Sequence, residues 1–212
     1  MKEIAKQLLR IDAVRFNSNP QESFTFTSGI KSPIYFDNRS AYGDIDASNA
    51  IVAALQSVVN DMWDAYDAHA DVIMVGVATG AIGWGFGVAN FMGTPFSYVR
   101  AEAKPHEQKI EGYKLKPGDK VIIIEDLVAT GASSLAAVEA VRETGAEVLG
   151  MVATMTYGWP RAVEAFKKAD VNLVTLTNYA ELVQVAMKQG YFSPEEGALL
   201  DNWYKAPENW GE

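Results

Sequence analysis

The sequence predicts an α/β fold with a mostly parallel central sheet flanked by helices. Three observations lead there. Val121-Ile-Ile-Ile124 runs without a polar break into Glu125 and Asp126, and an unbroken β-branched run reads as a strand buried on both faces, as in parallel sheets. The small-residue turn Ala129-Thr-Gly-Ala-Ser-Ser134 then leads into the helical spacing of Leu135, Val138 and Val141. Strand-like and helix-like segments alternate along much of the chain, which argues for right-handed crossovers between parallel strands.

The elements follow in order. The opening twelve residues carry Ile4, Leu8, Leu9 and Ile11 on one helical face, and Phe24 to Asp37 alternates as a short hairpin would. A long helix starts near Asp46, with Asp44 or Asp46 as its cap, and shows Ile51, Val52, Leu55, Val58, Val59, Met62, Trp63 and Tyr66 at helical spacing. A strand over 71–76, a turn at Val77–Gly80, a helix over 81–91 and a strand over 96–99 come next, then a polar loop from Arg100 to Lys120. After the Val121 strand and its helix, strands are expected over 148–154 and 171–176, and helices over 161–168 and 179–188. The tail from Pro194 to Trp210 reads as one more short helix.

Bulk properties narrow the function. A chain of 212 residues with 49% hydrophobic and 21% charged residues suits one α/β domain over residues 1–212. A formal net charge of −9 argues against nucleic acid as partner, because phosphate neutralisation needs a basic face. Zero cysteines exclude disulfides and thiolate metal sites and fit a reducing cytoplasm. The N-terminal ten residues lack the apolar core of a signal peptide. The uncharged stretch Val72 to Val99 is long enough to span a bilayer, but its six glycines, Asn90 and Pro95 break it into strand, turn, helix and strand. A soluble protein is expected.

The chemistry centres on the Glu125-Asp126 strand end, where open α/β sheets bind ligands. The turn after it leaves free backbone N–H groups at a helix N-terminus, a place that favours an anion. Carboxylates beside a phosphate cradle repel it, and a sugar between them resolves the conflict. The carboxylates then take ribose hydroxyls or a hydrated Mg²⁺, and the turn takes a 5-phosphate. The alternative is a tight strand-to-helix connection with no ligand. Likewise, Arg100 to Gly112 reads either as a solvated charged loop or as a segment that orders on binding. Gly83-Trp-Gly-Phe-Gly87 has the wrong spacing for a dinucleotide fingerprint.

Two acids, two apolar residues and the Thr130-Gly131 turn resemble the phosphoribosyl-diphosphate (PRPP) motif of type I phosphoribosyltransferases. Phe24-Thr-Phe-Thr-Ser-Gly-Ile-Lys-Ser-Pro-Ile-Tyr-Phe-Asp-Asn-Arg39 resembles the N-terminal signature of the orotate phosphoribosyltransferase family. Tyr98-Val-Arg-Ala-Glu-Ala-Lys-Pro-His106, with Ile110-Glu-Gly112, resembles that family's mobile catalytic loop, and Val77 to Ile82 resembles its diphosphate-cradling loop. The resemblance covers roughly residues 1 to 190.

It implies a type I phosphoribosyltransferase fold with a small N-terminal hood over about residues 1–40, made of the first helix and the hairpin, on a core of about 41–212. It also implies transfer of 5-phosphoribosyl from PRPP to orotate, within a homodimer that shares the loop. Lys104, His106 and Asp126 would be the catalytic residues. PRPP would be held by Arg100, Lys104, His106, Glu125, Asp126, Leu127, Val128, Ala129, Thr130, Gly131, Ala132 and Ser133, with Ser134 a further hydroxyl donor. Orotate would be held by Lys31, Tyr35, Phe36, Arg39 and the backbone of Ala129. Tyr35 and Phe36 serve equally as core packing, and Arg39 serves either the orotate carboxylate or Asp37. Mg²⁺ would arrive on PRPP and water, with no direct protein ligand.

The chain departs from the family pattern in places. Ala101 and Glu102 stand where a lysine is common, the loop is a residue or two short, and Lys109 is a candidate substitute cation. Ala129 replaces a hydroxyl residue. Thr156 falls near a position that carries an orotate-binding arginine in one branch of the family, and Arg161 is the nearest basic residue. Two other readings remain open: transfer to a different base, and a non-catalytic PRPP sensor on the same fold.

Overall fold

A computed structural model describes residues 2–26, 28–66, 72–100 and 109–210. Its centre is a six-stranded sheet in the order β10-β9-β8-β5-β6-β7. The strands are β5 (Val72–Val77), β6 (Phe96–Val99), β7 (Ile110–Gly112), β8 (Lys120–Val128), β9 (Glu147–Thr156) and β10 (Leu173–Asn178). All pairs are parallel except β6–β7. The helices are α1 (Lys2–Arg10), α2 (Ile45–Ala65), α3 (Ile82–Met92), α4 (Ala132–Arg142), α5 (Pro160–Lys168), α6 (Tyr179–Gln189) and α7 (Pro194–Lys205).

The apolar run of β8 explains the layering. Successive strand residues face opposite sides, so Ile122 and Ile124 enter one core while Val121 and Ile123 enter the other. The first core is filled from α1, α2, α3, α6 and α7. The second is filled chiefly by Ala137, Val138 and Val141 of α4 and Ala162 and Phe166 of α5. Each fully buried isoleucine contributes about 1.5–3 kcal/mol of transfer free energy, so this central strand anchors both layers. The uncharged stretch that could have spanned a bilayer divides into β5, α3 and β6. Among the described residues no helix is long and apolar enough to cross a membrane.

Several expectations are revised. Phe24 to Asp37 is not one hairpin: β2 (Phe24–Thr25) pairs with β3 (Lys31–Ser32), while β4 (Ile34–Phe36) pairs with β1 (Val14–Phe16). Helix α1 shares a core with these ladders, Ile34 and Phe36 of β4 included. Its Ile4, Ala5, Leu8 and Leu9 join the first core beside Ile51, Leu55 and Val59 of α2. The loop expected from Arg100 to Lys120 contains β7, a short edge strand whose three residues give too little periodicity to read. Strand β10 runs through Asn178, whose side chain accepts from the Glu181 N–H and so starts α6 at once. Asp44 is the α2 cap: it accepts from the Ala47 N–H at 2.9 Å and meets Arg10 of α1 at 2.6 Å.

Gly76 in β5 has no room for a side chain, since a Cβ would lie 2.7 Å from the Ala81 carbonyl oxygen. Backbone cannot yield as a side chain would. Gly76→Ala is therefore expected to cost ~1–3 kcal/mol. Urea denaturation checks this, and an unchanged midpoint would show that the turn into α3 relaxes freely.

Candidate active site

Strand β8 continues past the two acids, so Glu125 and Asp126 lie inside the strand and not at its last residue. Glu125 is 4% exposed. It accepts from the Ser134 hydroxyl at 2.8 Å and from the Asp126 N–H at 2.9 Å. Ser134 is buried on the inner face of α4, so its hydroxyl goes to Glu125 and not, as expected, to a ligand phosphate. Burial, and then the neighbouring Asp126 charge, push the Glu125 carboxyl well above the usual carboxylate range. Burial raises Asp126 too, in the opposite sense to its hydrogen bonds.

Asp126 stands between two chambers of one cleft. The first, about 200 Å³, lies between Asp126, the Val77–Gly80 turn, Arg100 and Lys109. The second, about 380 Å³, lies between Asp126, Tyr35, Phe36, Arg39 and the 129–131 turn. Thr79, Gly80, Asp126, Leu127 and Ser133 line both. Gly80 is obligatory here, because a Cβ would fall 2.0 Å from an Asp126 carboxylate oxygen.

The turn after β8 is built for an anion. Gly131 adopts φ 84°, a left-handed conformation that favours glycine, and a Cβ there would press on Phe166 at 3.0 Å. It caps α4 with no side-chain acceptor for the first helical amides. Those N–H groups and the positive end of the helix dipole face the cleft entrance. Ala129, Thr130, Gly131 and Ser133 line the second chamber. Val128 does not: its side chain is buried in the second core, and its carbonyl accepts from the Tyr157 N–H and the Thr156 hydroxyl. Ala132 lines neither chamber and is exposed at the first turn of α4.

The second chamber has an aromatic wall and one cation among the described residues. Phe26, Tyr35 and Phe36 line it, and Phe36 also packs on Tyr157 at 5.2 Å, so it serves core and chamber together. Arg39 donates from Nε to Asp37 at 2.7 Å and approaches the Tyr35 hydroxyl at 3.4 Å. The Asp37 contact raises its pKa. Pairing with Asp37 and facing the chamber are therefore compatible. Lys31 is elsewhere: β3 turns it into a surface groove shared with Ser28, Gly29, Pro207 and Glu208, outside the chamber. Arg161 is also excluded, held 3.0 Å from Glu208 and stacked over Trp159. Thr156 is spent on the backbone of Val128 and Gly158.

In the first chamber, Arg100 donates from Nε to Glu111 at 2.6 Å and lies over the Tyr98 ring. Its N–H bonds to the Lys109 carbonyl, closing the neck of the 101–108 segment. Lys109, the candidate substitute cation, lines this chamber. Lys104 and His106 lie outside the described residues, as do Ala101 and Glu102.

Two supports were not legible in the sequence. Asn38 is buried and donates from Nδ2 to the Asp126 carbonyl at 2.7 Å. Tyr42 donates its hydroxyl to the Gly80 carbonyl at 2.6 Å. Both stand on the 3₁₀ segment Asn38–Gly43. Asn38 lies within the N-terminal signature and Tyr42 just past it, and only that placement hinted at a role.

Comparisons with known proteins agree with this geometry. A model of the "Phosphoribosyl transferase domain" matches residues 38–189. The chain is 48% identical over 211 residues to an orotate phosphoribosyltransferase of Phocaeicola vulgatus, covering 99% of this chain and 96% of that one. Among solved structures, the orotate phosphoribosyltransferase of Aeropyrum pernix aligns with TM-score 0.72 and 27% identity, over 90% of this chain and 99% of that one. The UMP synthase of Leishmania donovani aligns with TM-score 0.79 and 27% identity, over 96% of this chain but 42% of that longer protein.

The buried acid gives a stability prediction. A carboxyl harder to ionise in the folded than in the unfolded chain favours folding while it is protonated. That advantage is lost as pH rises from the ordinary carboxylate range to the raised folded value. Glu125→Gln removes the charge and keeps an acceptor for the Asp126 N–H. Its melting temperature should exceed the parent's by a few degrees at pH 8 and converge with it at pH 5. A melting temperature below the parent's at pH 8 would mean that the ionised carboxylate stabilises the fold.

Proposed function

The chain belongs to the orotate phosphoribosyltransferase family, and we propose how its cleft carries out that family's reaction. It transfers the 5-phosphoribosyl group of PRPP to orotate, giving orotidine 5′-monophosphate and diphosphate in pyrimidine biosynthesis. The observation that carries this reading is one cleft holding a carboxylate pair, an anion-binding turn and an aromatic chamber with a cation.

The 129–133 turn takes the 5-phosphate on backbone amides and on the Thr130 and Ser133 hydroxyls. Asp126, with Glu125 behind it, takes the ribose hydroxyls. This places C1 between the chambers, with diphosphate in the smaller one against the Val77–Gly80 turn and orotate in the larger one. Orotate N1 attacks C1 as the C1–oxygen bond to diphosphate breaks and the N1 proton passes to the departing diphosphate, so positive charge builds on the ribose and negative charge on the leaving group. The Asp126 carboxylate faces the first. Arg100 and Lys109, joined by Lys104 and His106 from the loop, face the second. Positioning accounts for much of the acceleration, with no covalent enzyme intermediate. Loop closure excludes water that would hydrolyse the ribosyl cation.

The donors present suit a metal ion brought in by the substrate. Magnesium commonly keeps waters and takes one or two carboxylates with phosphate oxygens. Bound to PRPP, Mg²⁺ supplies charge neutralisation at the diphosphate. The working unit is a homodimer that shares the loop. Exposed Ile45, Phe86 and Phe91 support it as apolar surface available to a second copy, and sedimentation equilibrium at micromolar concentration tests it. The absence of cysteine supports a cytoplasmic setting.

Orotate absorbance should fall only when PRPP and Mg²⁺ are both present. Tight PRPP binding without that loss would leave a sensor and sink the catalytic reading, and turnover of a purine would redirect the base. Lys104→Ala should lower kcat by roughly 10²–10³.

Arg39 is placed to meet the orotate carboxylate. Arg39→Gln should raise the orotate KM by roughly 10- to 100-fold, the worth of one charge-assisted hydrogen bond of ~1.5–3 kcal/mol, and leave PRPP affinity near the parent value. An unchanged orotate KM would confine Arg39 to its Asp37 pair.

A further inference from the structure

We propose that Tyr42 is a positioning residue that holds the Val77–Gly80 turn in the shape that receives diphosphate. The inference rests on the reading of the smaller chamber given above and names the side chain that sets its wall.

The turn joins β5 to α3 with few restraints. The Ala78 N–H bonds to the Val99 carbonyl at 2.8 Å and the Ala81 N–H to Val77 at 2.9 Å. The Ile82 N–H reaches the Thr79 carbonyl only at 3.4 Å. Among the described residues, Tyr42 is the one whose side chain hydrogen-bonds to the backbone of 78–81. It does so at Gly80, the residue with the greatest conformational freedom and the least space. Gly80 packs directly on the Asp126 carboxylate, and its own carbonyl oxygen would be repelled by that carboxylate if it swung towards it. The 2.6 Å bond from the Tyr42 hydroxyl takes up this carbonyl.

The tyrosine is itself fixed. Its ring stacks on Trp84 at 4.0 Å between centroids and leaves no room for a Cβ on Gly83, which would come 2.7 Å from the ring. Its hydroxyl also accepts from the Trp84 N–H at 3.2 Å, so one oxygen ties the turn to the start of α3. Burial pushes the phenol up to about 12, so it stays protonated and donates across the physiological range. On the same 3₁₀ segment, Asn38 holds the Asp126 carbonyl. One short segment thus sets both walls of the cleft, Asn38 at the ribose carboxylate and Tyr42 at the diphosphate turn.

The test is Tyr42→Phe, which keeps the ring stack and removes only the hydroxyl, with diphosphate and PRPP affinities measured by calorimetry in Mg²⁺ alongside steady-state kinetics. Both affinities should weaken about five- to tenfold, the worth of one hydrogen bond of ~1–1.5 kcal/mol. The KM for PRPP should rise with them, and the KM for orotate should stay within about twofold. Equal diphosphate affinity in parent and variant would overturn the inference while leaving the reaction intact. So would orotate and PRPP KM values rising together, which marks a general loosening. A parent protein that binds neither PRPP nor diphosphate would remove the reading on which the inference rests, and the inference with it. Tyr42→Leu serves as a second variant if Tyr42→Phe fails to fold: it adds no bulk and places no donor at Gly80, and the same split between substrates is expected.

Discussion

A carboxylate placed under a sheet is costly unless hydrogen bonds and neighbours accept its charge, and β8 places two side by side. Glu125 is covered on both oxygens, by the Ser134 hydroxyl and the Asp126 amide. Asp126 is then presented to the cleft, its own carbonyl held by Asn38 and its carboxylate walled by a glycine that cannot be anything larger. The cleft is arranged around this pair. The turn at Gly131, the packing of Gly80 and the placing of the 3₁₀ segment all make sense as ways to aim one acid outward while sealing the other in.

The division into two chambers follows from the same pair. A dissociative transfer separates charge, and the two products have different needs. In the proposed reaction the leaving group is small and highly anionic, which matches the narrow chamber beside Arg100 and Lys109. The incoming ring is flat and carries a carboxylate, so it suits the wider chamber with aromatic walls and Arg39. Asp126 lines both chambers, and in the proposed reaction it faces the sugar that both must reach.

Much of this was legible in the sequence. The β8 run forecast a strand buried on both faces, and the alternation of Ile122 with Ile123 into opposite cores is the physical content of that run. The acids and the Gly131 turn stand out by residue type and spacing, and the Arg39 segment by its resemblance to the family signature. What escaped notice depends on contacts between distant parts of the chain. Asn38 and Tyr42 act through bonds spanning 88 and 38 residues, which no local pattern encodes. Lys31 looked like part of the base site because it sits in the signature, but register in a two-residue ladder turned it away. Ser134 looked like a phosphate donor until helix phase turned it inward.

The short edge strand β7 has a consequence of another kind. A parallel sheet this apolar carries unsatisfied backbone groups along its outer strand, and such edges invite other chains to pair. Here the edge is only three residues long and ends at Gly112 with φ 105°, where a Cβ would press within 2.7 Å of the Phe96 carbonyl. A foreign strand would find almost no straight ladder to extend. At this side of the sheet, the short β7 leaves little backbone for edge-to-edge pairing.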